Sequence, residues 1–166
     1  MRVLSVPLFL LVCASPAAAQ PAPPIHVPPV ELFAGLAVEH KSAGATAGIN
    51  GNLTRNIAVL SEVGTSPEGV SVLAGARVGT AFYYDGKPPF PGRFFAQIMA
   101  GRQRGKSDTA GSIVQPGAGA DVILIPRRGV SLHWSIDYRY MPGAPPDRSG
   151  ARFVVGLLLG PHTTPP

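Results

Sequence analysis

Thiols are almost absent: the 166 residues include one cysteine, at position 13. Past that point no side chain is available for a disulfide, a thiolate metal site or a cysteine nucleophile. Charge is also scarce, with 14% Asp, Glu, Lys and Arg against about 25% in an ordinary soluble domain. No segment sustains a helical period, and glycine is too frequent for a helical bundle. The most apolar stretch near the N-terminus, Val3–Val12, is interrupted by Pro7 and is about half the length that a membrane-spanning helix needs. The chain is nevertheless too apolar for disorder, which leaves a β-structured domain held together without covalent ties.

The N-terminus reads as an export leader. Arg2 precedes the apolar run, and small residues follow, ending in Ala17-Ala18-Ala19. This three-part layout with an A-x-A site places cleavage after Ala19. Acylation at Cys13 would call for a small residue just before it, and Val12 stands there. Gln20–Pro29 (QPAPPIHVPP) is an extended, proline-rich linker. Residues 30–160 then form one domain of about 130 residues, and 161–166 a short tail. Lys and Arg outnumber Asp and Glu by 14 to 9, but they are scattered and no DNA- or RNA-binding motif accompanies them, so no nucleic-acid partner is expected.

What is abundant is alternation of period two. It runs through Val30–His40, Ala47–Thr54, Ile57–Thr65 and Val70–Phe82, then through segments around 94–101, 117–124, 131–140 and 152–159. The clearest case sets Leu132, Trp134, Ile136, Tyr138 and Tyr140 against Ser131, His133, Ser135, Asp137 and Arg139. Turn residues separate the runs: Lys41-Ser42-Ala43, Thr54-Arg55-Asn56, Ser66 to Gly69, Asp85 to Gly92, Gly105 to Gly111, Pro126 to Gly129 and Pro142 to Gly150. This predicts about eight strands, each long enough to cross a hydrocarbon layer. Pro116, unable to donate to a ladder, is expected to precede its strand or mark a bulge.

Alternation alone does not say which face is outside. The polar face carries Gly, Ser, Asn and Gln with isolated charges of both signs, where a soluble barrel's exterior would be crowded with Lys and Glu. Such a filling suits the narrow interior of an eight-stranded barrel. The candidate luminal charge network is Glu31, Glu39, Glu62, Arg77, Asp121, Asp137, Arg139 and Arg152, paired because a lone buried charge is costly. Aromatic residues near strand ends, among them Phe82, Phe94, Trp134, Tyr138 and Tyr140, match girdles at a lipid–water interface. The fold class is therefore all-β, an eight-stranded antiparallel up-and-down transmembrane β-barrel.

Gly75–Gly101 and Gln115–Tyr140, within a similarity reaching from Val30 to Leu159, resemble the small outer-membrane β-barrel domain family, akin in architecture to outer membrane protein A. The resemblance implies an eight-stranded barrel with both termini in the periplasm and variable loops outside. It departs at the end of the last strand, where the family's aromatic residue is replaced by Gly160-Pro161-His162-Thr163-Thr164-Pro165-Pro166.

His133, Ser135 and Asp137 share one strand face, and a His-x-Ser strand is similar to that of outer-membrane lipid A deacylases. That family follows its serine with asparagine, where Ile136 stands, and takes an acid from the next strand, where Ala151–Gly160 has none. The expectation is thus a luminal polar ladder without catalysis. His26, His40 and His162 lack metal-ligand spacing, so neither metal nor cofactor is expected. Arg102, Arg104 and Lys106 cluster at one strand tip, able to touch lipopolysaccharide phosphates or simply to be solvated. The expected role is non-enzymatic, in envelope integrity or adhesion in the bacterial outer membrane. Its expected partners are outer-membrane lipid and lipopolysaccharide, and an extracellular or periplasmic protein partner is not specified. A lipid A hydrolase using His133 and Ser135, and a soluble periplasmic barrel holding a small apolar ligand, are the alternatives.

Overall fold

A computed structural model describes residues 27–39, 42–67, 69–84, 90–105, 110–125, 128–143 and 149–160, with backbone only at 83, 84, 90 and 110. The expected leader, most of the proline-rich linker, the tail beyond Gly160, and Lys106 lie outside the described residues.

Eight strands follow one another: β1 Val30–Glu39, β2 Ser42–Asn52, β3 Ile57–Ser66, β4 Gly69–Tyr84, β5 Phe90–Gly105, β6 Ala110–Ile125, β7 Val130–Arg139 and β8 Gly150–Leu159. Each pairs antiparallel with the next, and β8 closes onto β1. The expected fold class is the observed one. Closure leaves no edge strand, so the backbone groups of the sheet are satisfied internally.

The strands are strongly staggered. Paired residues lead from Val30 through Gly51, Val59, Ala76 and Ile98 to Pro116, and from Tyr138 to Ala151. Since Glu39 pairs with Arg152, that circuit ends beside the residue after Glu39, the whole length of β1 beyond its start. Such a shear requires tilted strands around a narrow interior, which side chains fill. With an even number of strands, both chain ends emerge at one end of the barrel, the termini end. Connections 53–56, 85–89 and 126–129 share it, and the remaining connections lie at the far end.

The pleat sorts the side chains. Leu32, Leu36 and Val38 of β1, Ile98 of β5, Ile136 of β7 and Leu157 of β8 are each about half exposed on the outside, while Glu31, Glu62, Arg77, Asp121, Asp137 and Arg152 are buried within. The lumen also holds two apolar clusters. Leu60, Leu73, Met99, Ile113 and Met141 form one, and Phe33, Ala37, Val154 and Leu158 the other.

Four details differ from the sequence expectation. β2 begins at Ser42, not Ala47, with Ser42 and Ala43 paired to Glu39 and Val38; its first residues are too small to give an apolar–polar contrast. β4, β5 and β6 each run 16 residues, β5 and β6 well past the expected segments and β4 three residues longer than Val70–Phe82. Pro116 neither precedes its strand nor marks a bulge: it lies within β6, paired in register with Ile98, and the register shift falls at Ile123/Ile125. Its missing N–H points toward β7, where the ladder is interrupted between the Val114–Tyr140 bridge and the Gly117–Asp137 pair, so the loss is confined to one side. Ala120, on the outer face by alternation, is nonetheless buried, directly opposite Trp134. Trp134 itself is on the outer face and partly covered.

Glycine matters most at two places. Gly69 opens β4 after a tight connection with φ of 149°, and a Cβ there would strike the Arg104 carbonyl. Gly117 faces the lumen opposite Asp137, and a Cβ would collide with the Asp137 carboxylate; its absence leaves the space that the carboxylate occupies.

Candidate functional site: the luminal charge network

Inward positions on seven of the eight strands bring the charges together. Near the termini end, Asp121 of β6 is the hub. Arg93 of β5 reaches Asp121 Oδ2 with Nη2 at 2.9 Å and Nε at 3.2 Å. Arg77 of β4 approaches the same oxygen at 3.4 Å, and His133 Nδ1 of β7 lies 2.6 Å from Oδ1. Arg93 Nη2 also donates across the lumen to Glu31 Oε2 of β1 at 3.1 Å. Asn52 donates to that oxygen at 3.0 Å and to the Pro28 carbonyl at 2.8 Å. Pro28, just ahead of β1, is fully buried, so the described end of the proline-rich segment packs against the barrel mouth.

Aromatic rings brace this hub. His133 lies against Phe95, with ring centroids 5.3 Å apart and planes 7° from parallel, and against Phe33 at 4.7 Å. The Arg77 guanidinium sits 3.8 Å from the Phe95 centroid, a desolvated cation–π contact.

A second hub is Asp137 of β7. Its carboxylate accepts from Gln97 at 3.0 Å, Ser135 at 3.2 Å, Arg152 at 3.3 Å and Gln115 at 3.4 Å. Arg152 of β8 spans the lumen to Glu62 Oε1 of β3 at 2.6 Å, and Arg139 of β7 pairs with Glu39 of β1 at 2.9 Å. Gln97 of β5 joins the hubs: its carbonyl oxygen accepts from Arg77 at 2.8 Å while its amide donates to Asp137.

All eight residues of the sequence-derived network thus face the lumen and take part in ion pairs. Sequence reasoning missed Arg93, which falls between the expected turn ending at Gly92 and the expected segment beginning at Phe94. The signal was present: the inward set Phe95, Gln97, Met99 extends back to Arg93 by alternation.

These contacts tie strands distant in sequence across a low-dielectric interior. Buried pairs of this kind break even only with good geometry and further hydrogen bonds, which Gln97, Gln115, Asn52 and Ser135 supply. Ser135 and His133 are held apart chemically, since Ser135 bonds Asp137 and His133 bonds Asp121. Both are buried on the luminal side. Among the described residues no cluster of three or more His, Cys, Asp and Glu is arranged to hold a metal ion.

One cavity lies beside the network, lined by Phe33, Asn50, Glu62, Arg77, Gln97 and His133, with room for about one water molecule. It is far smaller than a site for a drug-sized ligand. Two buried polar atoms on β2 lack a protein partner, Asn50 Nδ2 and Thr46 Oγ1.

No protein-family model and no curated protein matches the chain. Among solved structures it is similar to one from the de novo design of transmembrane β-barrels, with a TM-score of 0.53, 12% identity, and coverage of 82% of this chain and 98% of the other. A second similar structure, solved in solution by NMR, is also a de novo designed protein, with a TM-score of 0.42, 16% identity, and coverage of 83% and 96%. The first likeness is one of fold: a closed eight-stranded barrel of transmembrane type.

Proposed function

We propose that the chain is a non-enzymatic bacterial outer-membrane barrel with a role in envelope integrity or adhesion, delivered there by its N-terminal leader. The observation that carries this reading is the inverted distribution of polarity, with half-exposed Leu, Ile, Val and Phe all round the outside and charged residues buried within. In water such an exterior would be an apolar patch far beyond what a soluble monomer tolerates. In lipid it is the stable arrangement, because the closed ladder leaves no open sheet edge.

A sealed lumen favours a structural role over transport. Ion pairs bridge it at two levels, and the apolar clusters around Phe33 and Leu73 fill space beside them. An envelope protein of this kind needs its outer surface and loops for interaction, and its interior for rigidity.

Trp134 provides the test, because it is the chain's one tryptophan and lies on the outer face. Protein refolded into vesicles is expected to show heat-modifiable migration, quenching of Trp134 by acyl-chain-borne quenchers, and no conductance steps in planar bilayers. Soluble, folded protein whose Trp134 emission ignores lipid quenchers but responds to small apolar ligands would overturn the membrane assignment. Stepwise conductance would remove the sealed-lumen role.

A further inference from the structure

Charge on the outer face is confined to one spot. Among the described strand residues, alternation places two charged side chains outside, Arg102 and Arg104, and both are exposed. Every other charged strand residue points into the lumen.

The two arginines lie at the far end of β5, on one face and two residues apart, so their Cα atoms are about 7 Å from each other. Arg102 is paired with Val72 of β4 and Ser112 of β6, and Arg104 with Val70 and Ala110. Val70 and Val72 are themselves 47% and 57% exposed on the apolar exterior. On β7 the outward rings of Tyr138 and Tyr140 are half exposed toward the same end, Tyr140 bridged to Val114. At the termini end the described outward strand-end positions include Val30, Ile57, Ile125, Val130 and Leu159, and the exposed arginines described there, Arg55 and Arg128, lie in connections and not on a strand face.

An arginine on the lipid face is tolerated at the headgroup level and penalised deeper. Its long stem covers apolar surface while the guanidinium reaches outward, and the aromatic belt marks the same depth. The valines directly alongside therefore set the acyl-chain boundary, and the guanidiniums extend into the headgroup layer. There the lipid's anionic group is phosphate, which a planar guanidinium binds through two parallel hydrogen bonds, and its five donors let Arg104 do so while keeping its contact within the protein.

We propose that Arg102 and Arg104 form a binding site for the phosphomonoester headgroup of a membrane lipid. Two adjacent cations match a phosphomonoester, which approaches two negative charges near neutral pH, better than a diester, which carries one. The site rests on the transmembrane reading above, and it also sets an orientation: the far end of the barrel faces the leaflet that holds phosphomonoester lipid.

The test uses the protein refolded into phosphatidylcholine vesicles with trace spin-labelled lipid of three kinds: phosphatidic acid, phosphatidylglycerol and phosphatidylcholine. Spin resonance reads the relative affinity of each for the barrel surface. Phosphatidic acid is expected to be enriched over phosphatidylcholine by about fivefold per arginine at the site itself, with phosphatidylglycerol between the two, and less so as salt rises. The Arg102→Gln/Arg104→Gln double variant is expected to lose this enrichment while keeping wild-type heat-modifiable migration. Equal enrichment of phosphatidylglycerol, or enrichment unchanged in the double variant, would overturn the site while leaving the barrel reading intact. Failure of the wild-type protein to insert would overturn both.

Discussion

Asp121 and Asp137 are both buried carboxylates in one narrow lumen, yet they are held in different ways. Asp121 is met by two guanidiniums, Arg77 and Arg93, and by the His133 ring. Asp137 is met by one guanidinium, from Arg152, and by three neutral donors, Ser135, Gln97 and Gln115. The first centre is an electrostatic hub whose cations depend on the anion. The second is a hydrogen-bonded socket, given its space by Gly117, in which charge is a smaller part of the binding. Two buried acids of the same type therefore differ in what their removal leaves behind.

The comparison is broken most severely at Asp121. Asp121→Asn leaves Arg77 bonded to Gln97 without its carboxylate, leaves Arg93 with Glu31 as its counter-charge, and is expected to cost about 3–5 kcal/mol, read as a lowered urea midpoint in vesicles. Asp137→Asn strands one arginine that keeps Glu62 as a partner, and is expected to cost about 1–3 kcal/mol. Equal costs for the two variants would erase the distinction between hub and socket.

Gln97 sharpens the comparison, because it bonds to both sides. Gln97→Leu is expected to cost about 1–3 kcal/mol. It should also reduce the coupling between Asp121→Asn and Asp137→Asn, measured by a double-mutant cycle, from about 0.5 kcal/mol or more to near zero. Coupling that persists without Gln97 would mean that the centres communicate by another route.

The smallest effect is expected at Thr46, whose buried hydroxyl has no protein partner. Thr46→Val keeps the shape and removes the unpaired group, so stability should change by less than about 1 kcal/mol, in the stabilising direction. A clear loss of stability, read from the same urea curves, would show that the hydroxyl is paired through water.

Much of the barrel was legible because pleating has a period of two. The split of Leu132, Trp134, Ile136 and Tyr138 from Ser131, His133, Ser135 and Asp137 needs no tertiary information, and it already assigns each luminal acid and base to a face. Legibility failed where that contrast vanished. The first turn of β2, rich in Gly, Ala and Ser, looked like a connection. Arg93, preceded by two prolines and a glycine, falls outside the expected strand, although it is the residue that ties Glu31 to Asp121. The expectation that Pro116 precedes its strand or marks a bulge fails because the sequence does not show that its nitrogen points to an interrupted stretch of ladder.

Sequence by itself determined the strand count, the all-β class and the sorting of residues between two faces, because each follows from local alternation and turn chemistry. Tertiary structure alone decided which acid meets which base. Glu62 and Arg152 are 90 residues apart, and Glu31 and Arg93 are 62 apart. Their meeting depends on the stagger accumulated around the closed sheet, which no single segment encodes. A shift of register by two residues at one strand pair would leave every side chain on its own face and still change which acid meets which base across that seam.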